Sequence, residues 1–489
     1  MSWMLPAVVA GPLLAAGLTL LSGRRLWLQR IITLVGVGGV LGAAISLLVA
    51  ADSGSAQVSQ MGGWAAPVGI TLVADRFAAI MLTVAAAMLL LVLIYAMAQL
   101  KSDAVDWWFH SKYLVLTAGV SLSFVTGDLF NLFVGFEIML IASYVLLTAK
   151  TGKGEVRASM SYVVINLVAS TLFLVIISFV YITTGTMNLA DLSVAMAEVD
   201  PAIRSGLSML MLVVFGIKAA LFPLFMWLPD SYPTAPTPVT AIFAGLLTKV
   251  GVFVIIRTQT LLFPHDGPSD LILFVAGATM LVGVFGAIAQ NDIKRILSFH
   301  IVSQIGYMIM GLGLFSFAGL AAAILYIIHH IIVKTGLFLV GGLVEAEHGT
   351  GALDRVGGVL HRRPAFALLF LPFALSLAGM PPFSGFVAKL ALVQEGLMLD
   401  RGIIVGVSLL VGLLTFFSMT KIWGAVFWGR ETEATGDAGF GMVGATVLVV
   451  ALSLSVAAFA GPLADLAARA AIDILDPSIY AGLVLGVGG

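Results

Sequence analysis

The sequence predicts an all-α polytopic membrane protein with about fourteen transmembrane helices, and three observations carry that prediction. Of its 489 residues, 60% are apolar and only 10% charged, with a mean hydropathy of +1.11, too little polar surface for a water-soluble fold. The apolar residues fall in runs of the roughly 20 residues that cross a bilayer as a helix. Basic residues gather in every second connection between those runs.

The first run, at 4–22, lacks the basic stretch of a signal peptide and reads as a retained helix. The others are expected at 29–50, 75–98, 110–127, 130–149, 158–184, 206–229, 236–260, 268–289, 296–317, 319–344, 365–399, 403–428 and 440–461. Segment seven ends in "FPLFMWLPDSYPTAPTP" and segment twelve is interrupted by "GMPPFSG". Proline donates no backbone hydrogen bond, so both read as broken helices. They lie five helices apart, an odd offset that inverts topology, and paired broken helices point to a transport site near the midplane.

Arg24, Arg25 and Arg30 follow segment one, Lys101 and Lys112 segment three, and Lys150, Lys153 and Arg157 segment five. Lys294 and Arg295 follow segment nine, Arg355, Arg362 and Arg363 segment eleven, and Arg430 segment thirteen. The opposite side has only scattered cations such as Arg76, Arg204, Arg401 and Arg469. The positive-inside rule then places both termini on the outer side. The termini are short and weakly charged, so no attached soluble domain is expected.

A net charge of −1 argues against a nucleic-acid partner and against a polybasic lipid patch. The absence of cysteine excludes disulfides, thiolate-held clusters and cysteine zinc sites. There is no phosphate-binding loop, metal-spaced cluster, nucleophile elbow or dinucleotide fingerprint, so no cofactor is expected and no metal ligands are assigned. Energy for transport has to come from an ion gradient, about 2.3 kcal/mol per charge per 100 mV.

Charges inside the spans carry the chemistry. Glu137 sits in "NLFVGFEIMLIASYVLL", and Lys218, Lys249, Lys334 and Lys389 lie in four other segments, with His329 and His330 beside them. An acid at the centre of a membrane helix costs a few kcal/mol, so such groups face a bundle interior or a wet cavity. Lys218 precedes Pro223 and is the natural partner of Glu137; a pair that opens and closes switches its own proton affinity, whereas a static pair only joins two helices. Lys249 has no acid in its own segment and is about a dozen residues from either end, too far to reach the interface. His330 and Lys334 are i and i+4 on one helix face, able to exchange a proton through one water. His329 points about 100° away and suits core packing as well as function. Lys389 follows the break in segment twelve, where unwound backbone can hold water. His300, Ser303 and Gln304 line a feed to this axis or else satisfy helix packing. Asp75, Asp128, Glu345, Glu347 and Asp354 fall near predicted ends and read as interfacial. Together the set forms a polar axis of the kind a proton relay needs.

The stretches "GDLFNLFVGFEIMLIASYVLL", "GIKAALFPLFMWLPDSYPTAPTPVTAIFAGLLTKVGVF" and "LAGMPPFSGFVAKLALVQEG" resemble the antiporter-like proton-translocating subunits shared by respiratory complex I and Mrp-type cation/proton antiporters. The resemblance runs from about helix three to helix thirteen. It implies fourteen helices: helices 1–3 over 1–98, two inverted five-helix repeats over 110–260 and 268–428, and helix 14 with a tail over 440–489. It implies a Glu–Lys pair at Glu137 and Lys218, a central lysine at Lys249, a relay at His330 and Lys334, and a terminal lysine at Lys389. Where some relatives have a further histidine one turn before His330, this chain has Tyr326.

Within the family, "DSYPTAPTPVTAIFAGLLTKVG" and "GFEIMLIASYVLL" are most similar to the D-type branch of the Mrp antiporters; the end soon after helix fourteen sets aside the longer members, and Lys389 a complex I paralogue with Glu there. That implies a non-enzymatic subunit of a multisubunit Na+/H+ antiporter, with A, B, C, E, F and G type subunits, Na+, H+ and the lipid bilayer as partners, in a bacterial inner membrane. A redox-driven subunit of complex I or a membrane-bound hydrogenase shares the same chemistry and is separated by gene neighbourhood. A stand-alone solute carrier would show one substrate pocket rather than a chain of lysines, and a scaffold subunit would not need five buried charges.

Overall fold

A computed structural model describes residues 2–99, 108–148, 153–264 and 267–486, without the side chains of 153–155. Lys101, Lys150 and the side chain of Lys153, named above for orientation, lie outside what is described. The chain is a helical membrane bundle. Its order is α1 (Met4–Leu21), α2 (Leu26–Asp52), a short hairpin of β1 (Gln57–Gln60) and β2 (Thr71–Ala74), then α3 (Arg76–Gln99), α4 (Phe109–Val125), α5 (Leu129–Leu147) and α6 (Lys153–Thr184). After the short α7 (Leu189–Ala195) come α8 (Pro201–Ala219), α9 (Trp227–Ser231), α10 (Thr237–Ile242) and α11 (Thr248–Leu261). The chain continues as α12 (Ser269–Ala289), α13 (Ile293–Gly313), α14 (Phe317–His348), α15 (Val359–Arg362), α16 (Pro364–Ala378), α17 (Ser384–Met398) and α18 (Gly402–Ile422), closing with α19 (Phe440–Ala458), α20 (Ala460–Leu475) and α21 (Pro477–Leu485).

Each expected span has a counterpart, with ends shifted by a few residues. Segment two runs longer, over Leu26–Asp52, and segment eleven extends to His348. The helices form a filled bundle: Thr237–Leu261 and Phe317–His348 are buried along their whole apolar windows, whereas α1, α2 and α19 expose most of theirs. A helix apolar all round can only sit at the centre of such a bundle or face lipid.

Both broken helices are real. α8 ends at Ala220 in the left-handed conformation (φ 59°), and the freed Phe222 N–H finds Thr279 Oγ1 on α12 at 3.0 Å. α16 ends at Gly379 (φ 88°), and Pro381 and Pro382 separate it from α17. A third irregularity was not expected. Residues Phe243–Leu247 form a π-helical turn between α10 and α11, one residue too many for the α-helical ladder.

The two halves echo each other at a spacing of 164 residues (128 to 292, 188 to 352), which sequence identity between them does not reveal. Asp128 caps α5 by accepting from Asn131 N–H, and Asp292 caps α13 by accepting from Arg295 N–H. Each Asp forms an isolated antiparallel bridge, to Asn188 and Ala352. At the same spacing, a Cβ on Gly119 would sit 2.5 Å from Met139 N, and one on Gly283 would press on Ser303 N. Only glycine permits these helix pairs to approach so closely.

One end of the bundle gathers the connections rich in basic residues: Arg30 bonds the Met97 carbonyl, Lys294 pairs with Glu345 at 2.6 Å, and Arg363 pairs with Glu347. The other end carries Asp52, Asp75, Arg76 and Arg257 together with the C-terminal α20 and α21. Within the tail, α20 buries Ala467, Ala470, Ala471 and Ile474 on one face and presents Arg469 and Asp473 to the ionic cluster.

Candidate functional site

Glu137 and Lys218 come together, and a third residue joins them. Ser170 on α6 donates its hydroxyl to Glu137 Oε1 and accepts from Lys218 Nζ at 3.1 Å. Lys218 Nζ also reaches the Asn166 carbonyl at 3.3 Å and lies 5.6 Å from the Phe136 ring centroid. The expected pair is thus a serine-bridged triad rather than a direct ion pair. Neither Ser170 nor Asn166 stands out in the sequence, because hydroxyl and amide side chains are common in membrane helices and usually bond their own backbone.

Lys249 is wholly buried on α11 and donates to the Ala244 carbonyl at 2.5 Å and to Thr248 Oγ1 at 3.2 Å. Ala244 lies in the π turn, whose extra residue frees the carbonyl that the ammonium takes. The helices carrying the lysines touch at glycines. A Cβ on Gly251 would lie 3.0 Å from the Lys218 carbonyl carbon, and one on Gly245 would collide with Thr335, next to Lys334.

At the centre, His330 and Lys334 are buried on α14, and His330 Nδ1 and Nε2 and Lys334 Nζ have no hydrogen-bond partner among the described residues. A buried polar group left unpaired costs a few kcal/mol, so these atoms belong with water. Lys249, Lys334 and Lys389 all lie within electrostatic range of His330. Tyr326 hydrogen-bonds Gln304 Oε1, and its ring lies nearly parallel to those of Tyr307 and His330, with centroids 5.3 and 6.4 Å away.

Lys389 closes the series on α17. Its Nζ donates to the carbonyls of Leu377 (2.9 Å) and Ala378 (3.2 Å), two groups that the end of α16 leaves without helical partners. The ammonium also sits 4.7 Å from the Tyr307 ring centroid. His329 Nδ1 meets Ser384 Oγ at 2.9 Å, and Ser384 meets Ser376 Oγ at 3.1 Å across the break. Ser303 bonds the Met280 carbonyl and Gln304 bonds Tyr326 and Thr415, so both satisfy packing. His300 Nε2 pairs with Ser418 Oγ, while its Nδ1 has no hydrogen-bond partner among the described residues.

Three of the five acids expected to be interfacial are covered by protein, whereas Glu345 is half-buried and Asp354 exposed. Asp75 is buried against Arg257 at 2.6 Å, Glu347 is buried against Arg363, and Asp128 is a buried helix cap. They sit at helix ends, where sequence position suggests water, but neighbouring elements cover them. Outside the spans, burial raises the Asp128 carboxyl above its usual range against the opposing Asn131 and Phe130 N–H bonds. Burial also raises Asp473, opposed by the hydrogen bond from Arg76. Among the described residues no group of three His, Asp or Glu is placed to hold a metal ion.

Residues 126–416 match the sequence family described as NADH:quinone oxidoreductase/Mrp antiporter, TM. The chain is 44% identical, over 99% of both chains, to the D-type Na+/H+ antiporter subunit of Alkalihalophilus pseudofirmus. Its fold is similar to a chain of the Mrp complex of a Dietzia species, with a TM-score of 0.94 and 34% identity over 99% of this chain and 100% of that one. It is also similar to a chain of an archaeal membrane-bound sulfane sulfur reductase, at a TM-score of 0.91 and 25% identity over 98% and 99%.

Proposed function

We propose, from the premise that this chain belongs to the NADH:quinone oxidoreductase/Mrp antiporter family, that protons cross it along the Glu137–Lys389 axis. The chain is a D-type component of a multisubunit Na+/H+ antiporter: a transporter part rather than an enzyme, a multi-pass protein of a bacterial plasma membrane, and a partner of the other Mrp subunits. In this reading Glu137 and Lys218 form the gating pair. Lys249, His330, Lys334 and Lys389 relay protons towards the far exit. Residues 110–260 and 268–428 act as the two inverted repeats, flanked by 1–98 and 440–489, and both termini face outward. What supports the reading is the His330–Lys334 cluster on the fully buried α14, without hydrogen-bond partners among the described residues and within electrostatic range of Lys249 and Lys389. Low dielectric disfavours each ammonium, so a proton placed on one lysine loosens the proton on the next.

The test measures Na+-driven proton exchange in inverted vesicles, normalised to assembled complex. The complete complex should exchange and this chain alone should not; exchange by the chain alone would make it a stand-alone carrier. Glu137→Ala in the complete complex should insert normally and lose exchange at least tenfold. Near-normal exchange would show the pair to be dispensable.

A further inference from the structure

We propose that Ser170 is itself a proton carrier, the obligatory bridge between Lys218 and Glu137. The proposal rests on the reading of those two charges given above. Among the described residues, the only polar side chain hydrogen-bonded to both is this hydroxyl, which accepts from Lys218 Nζ at 3.1 Å and donates to Glu137 Oε1. Apolar rings stand beside the bridge. Phe136 precedes Glu137, Phe173 lies one turn beyond Ser170, and Phe215 lies one turn before Lys218. The three rings pack on one another, with Phe173 and Phe215 5.0 Å apart, and form an apolar collar beside the bridge.

A second observation points the same way. At the spacing that relates Asp128 to Asp292 and Asn188 to Ala352, Tyr162 corresponds to Tyr326, Asn166 to His330, and Ser170 to Lys334. The α6 position that holds the hydroxyl is therefore the α14 position that holds a relay lysine. Where the second half places an amine, the first half places a hydroxyl between two charges.

The transfer balances. The Lys218 ammonium gives an N–H proton to Ser170 Oγ as the serine O–H proton moves to Glu137 Oε1. One N–H and one O–H bond break, two O–H bonds form, and the ion pair becomes a neutral amine and a carboxylic acid. Rotation of the hydroxyl about its Cβ–Oγ bond resets the bridge.

The experiment uses the complete complex in inverted vesicles carrying Ser170→Ala, Ser170→Thr or Glu137→Gln, with Na+-driven proton exchange normalised to assembled complex. Ser170→Ala should lose exchange more than tenfold, and Ser170→Thr, which keeps a hydroxyl, should return to within about threefold of the parent. The infrared band of the protonated Glu137 carboxyl, identified by its loss in Glu137→Gln, should shift in Ser170→Ala and return in Ser170→Thr. A serine that packs without bonding Glu137 would not move that band with the hydroxyl, and a serine that bonds it without carrying the proton would move the band but leave exchange in Ser170→Ala near that of the parent. Exchange in Ser170→Ala within threefold of the parent, or an unmoved band, overturns the proposal. If Glu137→Gln abolishes exchange while Ser170→Ala keeps it, the bridge fails and the wider reading stands. If Glu137→Gln keeps exchange, the wider reading fails with it.

Discussion

Lys389 holds two carbonyls left open by the break between α16 and α17, and a guanidinium could hold them too. Arginine keeps the charge but releases no proton at accessible pH. Lys389→Arg should therefore lose exchange almost as fully as Lys389→Ala, measured across pH and normalised to assembled complex. Full activity in the arginine variant would leave Lys389 as a fixed charge outside the relay. The six charged or imidazole positions proposed for the axis can be picked out in the sequence, since hydrocarbon spans rarely keep an ionisable group without a use. What joins them was not. Ser170 and the Ala244 carbonyl gain their meaning only from the neighbouring helix or the local winding, and neither leaves a mark in composition.

The elements depend on close approach at glycine. A Cβ at Gly119 would lie 2.5 Å from Met139 N and 2.8 Å from its Cα, atoms of a helix backbone that cannot turn aside. Gly119→Ala should destabilise the α4–α5 pair by about 1–3 kcal/mol, the usual cost of overpacking. Gly283→Ala should do the same to α12–α13. Thermal aggregation of the solubilised complex would show a lowered midpoint for both, and an unchanged midpoint would mean that the helices part easily. Span positions were readable because long apolar runs have one outcome in a bilayer. α20 was not, because its buried face is mostly alanine and its other face carries Arg469 and Asp473, leaving no sustained apolar run. The echo at 164 residues was equally hidden, because it is kept in caps, bridges and close contacts rather than in repeated letters.

Across the whole molecule, ion pairs at one end fasten distant parts of the chain. Asp75 at the start of α3 binds Arg257 near the end of α11, both nearly buried, and Tyr480 of α21 stacks 5.1 Å from the guanidinium. Removing one partner strands the other charge, so Arg257→Ala should cost about 3–5 kcal/mol, while Asp75→Leu with Arg257→Met should recover most of that. Melting of the purified complex separates the cases: a double variant as unstable as Arg257→Ala would mean that packing, not the stranded charge, is what was lost. The same end joins Arg76 to Asp473 and Asp52 to Arg469, across 397 and 417 residues of sequence. Synthesis runs in one direction at about 5–20 residues per second, so Asp52 and Arg76 wait roughly 20–80 s for their partners to leave the ribosome. For that interval the N-terminal helices are a nascent chain with open ends. A chain stopped after residue 459 never leaves that state, and should be cut by protease added to the face bearing Asp52 when the full chain is resistant.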